Sequence, residues 1–255
     1  MDAFALLRLQ IEWGADDALD DEPVVRLRET ARPAPTTPAL VQQRAEPRPA
    51  AEPPKASPAE RALAAAAQAN TLEELRAAIA AFDGCALRDT AGHLVFAEGD
   101  PSTGLLLIGE APGAEEDRTG QVFAGPQGVL LDKMLASIHL TRADMLLTPL
   151  IPWRPPGGRP ANASEIALCL PFLYRLIAIT RPMRMVALGA AAAALLQAAR
   201  RRRAQPDWIA CPIQGTAETT PLLPLPGLTG LTKNPLDRRE AWAGLRLLRR
   251  TLDAG

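Results

Sequence analysis

Gly109-Glu110-Ala111-Pro112-Gly113-Ala114-Glu115-Glu116-Asp117-Arg118-Thr119-Gly120-Gln121-Val122-Phe123-Ala124-Gly125 decides the fold, because it follows directly on an uninterrupted apolar run at residues 105–108. That run is too short and too continuous for an amphipathic helix. It reads as a strand buried on both faces, as in a parallel sheet. The next helix is expected near Pro126-Gln127, which leaves a loop with four glycines and a proline. Glycines let a backbone approach a ligand closely, and open sheets seat ligands at the carboxyl ends of their strands. The loop carries carboxylates at Glu110, Glu116 and Asp117 and a ring at Phe123, so this is where a ligand is expected.

Working outward, apolar runs at 105–108, 145–147, 185–188 and 208–211 alternate with helical stretches at 127–138, 164–179, 190–200 and 238–252. Such alternation predicts an α/β fold, a three-layer α/β/α sandwich around a mostly parallel sheet. Upstream, an alanine-rich helix is expected over 57–70, and Thr71-Leu72-Glu73-Glu74 has the spacing of a capping box that opens a second helix. Residues 33–58 are rich in Pro, Ala, Glu and Arg and poor in large apolar side chains. Such a stretch cannot bury enough surface to offset chain entropy, which predicts a disordered linker. Residues 2–13 have an amphipathic helical pattern that suits either a docking helix for a protein partner or a cover for the same chain. The expected organisation is an amino-terminal helix in 1–20, a linker over 21–57 and one domain over 58–255, within reach of a chain of 255 residues with 47% hydrophobic content. No signal peptide is read at the start, and no apolar run is read as approaching the ~20 residues of a membrane span, so a cytoplasmic monomer is expected.

The loop resembles the first motif of the uracil-DNA glycosylase superfamily, most closely family 4, whose pattern runs GEAPG-x-x-ED-x-x-G-x-PFVG. The resemblance continues through Trp153-Arg154-Pro155-Pro156-Gly157-Gly158-Arg159, similar to the family's CRPP-x-NR, and through the following helix and strand to about Leu252. It implies the same three-layer fold and a DNA repair enzyme that cleaves the N-glycosidic bond of a deaminated base flipped out of DNA. On the matching positions it implies that Gly109, Ala111, Pro112, Gly113 and Phe123 surround the flipped base, with Phe123 stacking on it. It also implies that Glu110, Glu116 and Asp117 orient water or stabilise positive charge on the sugar. These carboxylates have an equally good alternative use as caps on backbone N–H groups near a helix start.

The same resemblance implies a four-iron cluster on four thiolates, and here the chain departs from it. Three cysteines are present. Cys85 and Cys169 stand at two ligand positions as remnants, Phe82 and Trp153 stand at the other two, and Cys211 lies elsewhere. Aromatic rings cannot bind iron, so no cofactor is expected and aromatic packing should fill the space.

Two further family positions are altered. The asparagine that reads the uracil edge is replaced by Pro149, with Thr148 just before it as a substitute donor. The histidine of the HPAYLLR-like segment is replaced by Gly227, leaving Thr229, Thr232, Lys233 or backbone groups to serve. The only histidines, His93 and His139, are expected on the surface. Losing one preorganised oxyanion donor costs about 3 to 4 kcal/mol of transition-state stabilisation. Two readings therefore stand: a glycosylase that is slow or altered in specificity, and a catalytically silent relative that binds DNA or a repair partner. The net charge of -1 carries no nucleic-acid signature, but residues 181–255 hold 12 Lys and Arg against 5 Asp and Glu. Phosphate contacts are expected there and at Arg154, Arg159, Lys233 and Arg238. The run Arg200–Arg203 suits either DNA or a helix C-terminus.

Overall fold

The computed structural model describes residues 56–197, 206–213 and 218–254. The chain divides after Ala51, and the fold below belongs to the second part. The expected amino-terminal helix, nearly all of the expected linker and the Arg200–Arg203 run lie outside the described residues.

Six strands form one sheet: β1 (Glu98–Gly99), β2 (Leu105–Gly109), β3 (Leu146–Pro149), β4 (Arg184–Leu188), β5 (Ile209–Pro212) and β6 (Thr219–Leu225), in the order β1-β3-β2-β4-β6-β5. The four inner strands run parallel, and the two edge strands pair antiparallel to their neighbours. All five residues of β2 are buried, as expected of a strand covered on both faces. Its side chains alternate between layers. Leu106 and Ile108 join one core with Leu146, Met185, Ala187 and Leu222, while Leu105 and Leu107 join the other with Leu147, Val186, Leu188 and Leu223.

The first core is roofed by α1 (Pro58–Gln68), α2 (Leu72–Ala81), α6 (Ala163–Thr180) and α7 (Ala190–Leu195); α3 (Leu87–Thr90) adds Leu87. The cap expected at Thr71 is present, its hydroxyl accepting from the Glu74 N–H on α2, and Ser57 and Glu60 form a capping box on α1 that the sequence reading had not singled out. Helix α6 has the length and composition of a membrane span, which the sequence reading had not credited to any stretch. Its apolar side chains pack instead under the sheet, and its Arg175 donates to Ala69 O at 2.6 Å and Asn70 Oδ1 at 3.0 Å beyond the end of α1.

The second core is closed by α5 (Gly125–Ala136), α8 (Leu228–Lys233) and α9 (Pro235–Asp253). Several elements were not foreseen, β1, α3 and α8 among them. Strand β6 was hidden by Pro221 and Pro224, since proline is normally excluded from inner strands; here it pairs with both β4 and β5. Within the loop after β2 lies a short helix, α4 (Ala114–Thr119), closed by Gly120 in the left-handed conformation.

Candidate active site

A cleft opens at the carboxyl ends of β2, β3 and β4, walled by Gly109, Pro149 and Leu188 from the strand ends and by Leu228 from the start of α8. Its other walls are Val95, Glu110, Ala111, Pro112, Glu116, Val122, Phe123 and Gln127, and the space measures about 380 Å³ counted to its open mouth. The location is the one an open parallel sheet reserves for ligands.

Phe123 is held in an unusual conformation. Its φ of 52° lies in the left-handed region, which costs a non-glycine residue on the order of 1 kcal/mol or more. Arg142 imposes it by donating to the carbonyls of Val122 at 3.0 Å and Phe123 at 2.8 Å while pairing with Asp132 at 2.6 Å. Glu98 fixes the same turn from β1 by accepting the Val122 N–H at 3.1 Å. The ring, 8% exposed, lies over the end of β2, where a Cβ on Gly109 would sit 2.6 Å from its Cζ atom. Glycine at 109 is therefore required for the ring to close on the strand.

The carboxylates separate into different tasks. Glu116 lies in the cleft wall but turns back on its own helix, accepting the N–H of Gly113, the N-cap residue, at 3.0 Å. Asp117 lies outside the cleft lining: its Oδ1 accepts from Gly92 N at 2.7 Å and His93 N at 3.3 Å, and Oδ2 is 4.0 Å from Arg154 Nη1. Glu110 alone among the three reaches across the cleft, where Oε1 accepts from Ala190 N at 3.0 Å. Its carboxylate is cradled by two glycines: a Cβ on Gly189 would sit 2.3 Å from Oε1, and one on Gly227 2.4 Å from Oε2. Gly227, which the resemblance matches to the family histidine, thus faces the Glu110 carboxylate.

Of the remaining expected site residues, Ala111 and Pro112 line the cleft and Gly113 caps α4 beside it. Thr148 is 3% exposed and faces a separate small cavity with Cys169 and Phe172, on the far side of Pro149. Arg159 pairs with Glu165 at 2.5 Å, and Arg238 donates to Leu231 O at 3.1 Å at the end of α8. Arg154 is half-buried, and Lys233 is exposed in the last turn of α8. His93 lies on the surface, with Nδ1 2.7 Å from Asp117 O, and His139 is likewise exposed. Besides the apolar walls Val95, Leu188 and Leu228, one polar cleft residue escaped the sequence reading. Gln127 projects from the first turn of α5, and its Nε2 donates to Thr229 Oγ1 at 3.0 Å. Its signal was its place, two residues past the glycine loop.

The cluster position can be tested on its own packing. Phe82 and Trp153 are 5% and 2% exposed within the first core, and Phe82 meets Phe172 edge-on with ring centres 5.3 Å apart. Cys85 and Cys169 lie side by side, so that a hydrogen bond from Cys169 holds the Cys85 thiol down at about 7 while that bond and burial raise Cys169. Cys211 sits on β5 against Leu195 O. Among the described residues no group of three or more His, Cys, Asp or Glu side chains could hold a metal. The residues present do not fit an iron-sulphur cluster.

The model of the uracil DNA glycosylase superfamily matches residues 96–246. The chain belongs to that superfamily. Its relatives point to family 4. It is 37% identical over 134 residues to the type-4 uracil-DNA glycosylase of Pyrobaculum aerophilum, covering 52% of this chain and 68% of that one. The type-4 enzyme of Archaeoglobus fulgidus is 38% identical over 109 residues, covering 43% and 55% of the two chains. That of Thermotoga maritima is 38% identical over 108 residues, covering 42% and 56%. This member of the superfamily thus spans little more than half the length of the latter two relatives.

Proposed function

We propose that this chain is a DNA glycosylase that hydrolyses the N-glycosidic bond of uracil or another deaminated base flipped into the cleft, with altered base recognition. The observation that supports this most is the clamp on Phe123. Arg142 and Glu98 together hold an aromatic ring in a strained conformation at the wall of the cleft, and strain of this kind persists where a site needs a side chain aimed in one direction. A flipped base would stack on that ring. Glu110, beside it, would orient water or face the positive charge that develops on the sugar as the bond lengthens. Glu116 and Asp117 support the loop and act through its shape.

Gln127 would take over the reading of the base edge. Among the described residues it is the one amide side chain lining the cleft, and with one N–H given to Thr229 it keeps a carbonyl oxygen and a second N–H for an edge that offers both a donor and an acceptor. Among the described residues no histidine or cation lines the cleft, so a departing uracil anion would be stabilised there by neutral donors, which favours slow turnover. With two aromatic rings at ligand positions, the enzyme would work without a cluster and contact DNA through Arg154 and Lys233.

The test is excision from single-stranded and duplex oligonucleotides carrying uracil, hypoxanthine or xanthine, with Phe123→Leu and Gln127→Ala beside the unmodified chain. Phe123→Leu keeps most of the packing but removes the stacking face, so binding to lesion DNA should weaken by about 1 to 3 kcal/mol while undamaged DNA binds as before. Gln127→Ala should narrow the preference between bases. Lesion binding unchanged in Phe123→Leu, together with no excision by the unmodified chain, would favour the silent relative and refute the proposal.

A further inference from the structure

At the far end of α5 from the cleft, a second concavity of about 960 Å³, counted to its open mouth, is lined by Ser137, Ile138 and His139 on one side and Trp242, Arg246, Arg249 and Arg250 on the other. The four α9 residues recur at i, i+4, i+7 and i+8, so they share one stripe of that helix. Trp242 leaves 46% of its surface to solvent, an unusual place for an indole unless something covers it. Arg249 is paired with Asp253, while Arg246 and Arg250 have no ion pair among the described residues. The other titratable groups nearby are His139, which faces Asp253, and Asp144, whose carboxylate is engaged by Thr141. Ten residues of α5 separate Gln127 in the cleft from Ser137 here, which is about 15 Å at the helical rise.

We propose that this groove is a docking site for an acidic protein segment that carries one bulky apolar residue. The apolar residue lies against Trp242 over the buried Ile138, and its flanking carboxylates take the free guanidiniums of Arg246 and Arg250, whose planar fork matches a carboxylate in two hydrogen bonds. A nucleic-acid strand fits less well. Strand-binding grooves line up several aromatic rings along a continuous cationic track, whereas this one offers a single ring, two uncompensated cations and the Asp253 carboxylate, which repels phosphate.

Fluorescence anisotropy on the full chain tests this with three labelled probes: a ten-residue peptide of Asp and Glu around a central Leu-Phe, the same peptide with Asn and Gln for the acids, and a dT12 oligonucleotide. The acidic peptide should bind and the neutral one should not, with affinity falling as salt rises. Trp242→Ala and the pair Arg246→Glu with Arg250→Glu should each weaken the acidic peptide at least tenfold, while dT12 binding stays the same. All three positions are at the surface, and an unchanged melting temperature confirms that each variant is folded. Equal binding of acidic and neutral peptides, or acidic-peptide binding that the variants leave intact, overturns the proposal. Loss of dT12 binding in the variants with no uptake of the peptide also overturns it and assigns the groove to a nucleic-acid strand.

Discussion

Adding a single methyl group at Gly227 should destabilise the protein only while Glu110 is present. Gly227 has φ -64° and ψ 145°, a conformation open to any residue, so Gly227→Ala carries no backbone strain. By restricting the unfolded chain it should even stabilise by about 0.4 to 1 kcal/mol. Against that, the new Cβ would lie 2.4 Å from Glu110 Oε2, and the carboxylate must leave its hydrogen bond with Ala190 N. Such a bond to a charged group is worth about 1.5 to 3 kcal/mol, and the lower end applies to a carboxylate at an open cleft. The net expectation is a loss of about 1 kcal/mol, or about 2 to 4 °C in a domain of this size. In a Glu110→Ala background the same substitution should be neutral or stabilising, giving a coupling of about 1.5 kcal/mol in a double-mutant cycle followed by urea or thermal denaturation. Equal effects in both backgrounds would refute the cradle. Gly227→His follows the same logic: the histidine can enter only if Glu110 swings away, so returning it together with Pro149→Asn should raise uracil excision far less than the hundredfold that one transition-state donor can supply.

Three further outcomes follow from the described contacts. Arg142→Ala should release the turn at Phe123, lowering stability by about 1 to 3 kcal/mol and lesion-DNA affinity with it; Arg142→Lys, which cannot hold two carbonyls and Asp132 together, should not rescue either, and full rescue would show that charge alone suffices. The Arg159 guanidinium beside Glu165, with the Asn162 N–H, keeps the Glu165 carboxyl below its ordinary value. A depressed carboxyl contributes stability above its unfolded value and loses it as pH falls through the folded one, so Arg159→Ala should lower the melting temperature slightly at pH 7, within the 1 kcal/mol of a partly exposed pair, and not at pH 3. Anaerobically purified protein should be colourless, without absorption near 400 nm and without bound iron or sulphide; a stoichiometric brown chromophore would overturn the packing argument at Phe82 and Trp153.

The fold was legible wherever one kind of signal ran uninterrupted. Strands β2 and β4 showed as short apolar runs because both their faces are buried, α1 showed through its run of alanines, and α2 announced itself through Thr71. Strand β6 did not, because two prolines outweigh its leucines in any local reading, while its place is fixed by the strands on either side. The position of the cleft was legible for the same reason as the strands: it lies where they end. The duties of its residues were not, because they depend on contacts from distant segments. Asp117 is engaged by residues 92 and 93, Glu110 by residue 190, and Phe123 by Arg142. Thr148 looked like a donor for the base because it neighbours Pro149, yet successive residues on a strand face opposite layers, and it points into the layer below.

The bond from the Gly113 N–H to Glu116 at the start of α4 and the tether from Asp117 to residues 92 and 93 make the glycine-rich loop a self-supporting piece of architecture. Two of the acids that mark its motif are needed to hold the backbone in place, whether or not a bond is ever broken in the cleft. A descendant that had lost its chemistry would still have to keep them. Gln127 and Pro149, which line the cleft, and Gly227, which faces Glu110, make none of those tethers, so a change at any of the three would leave both of them intact.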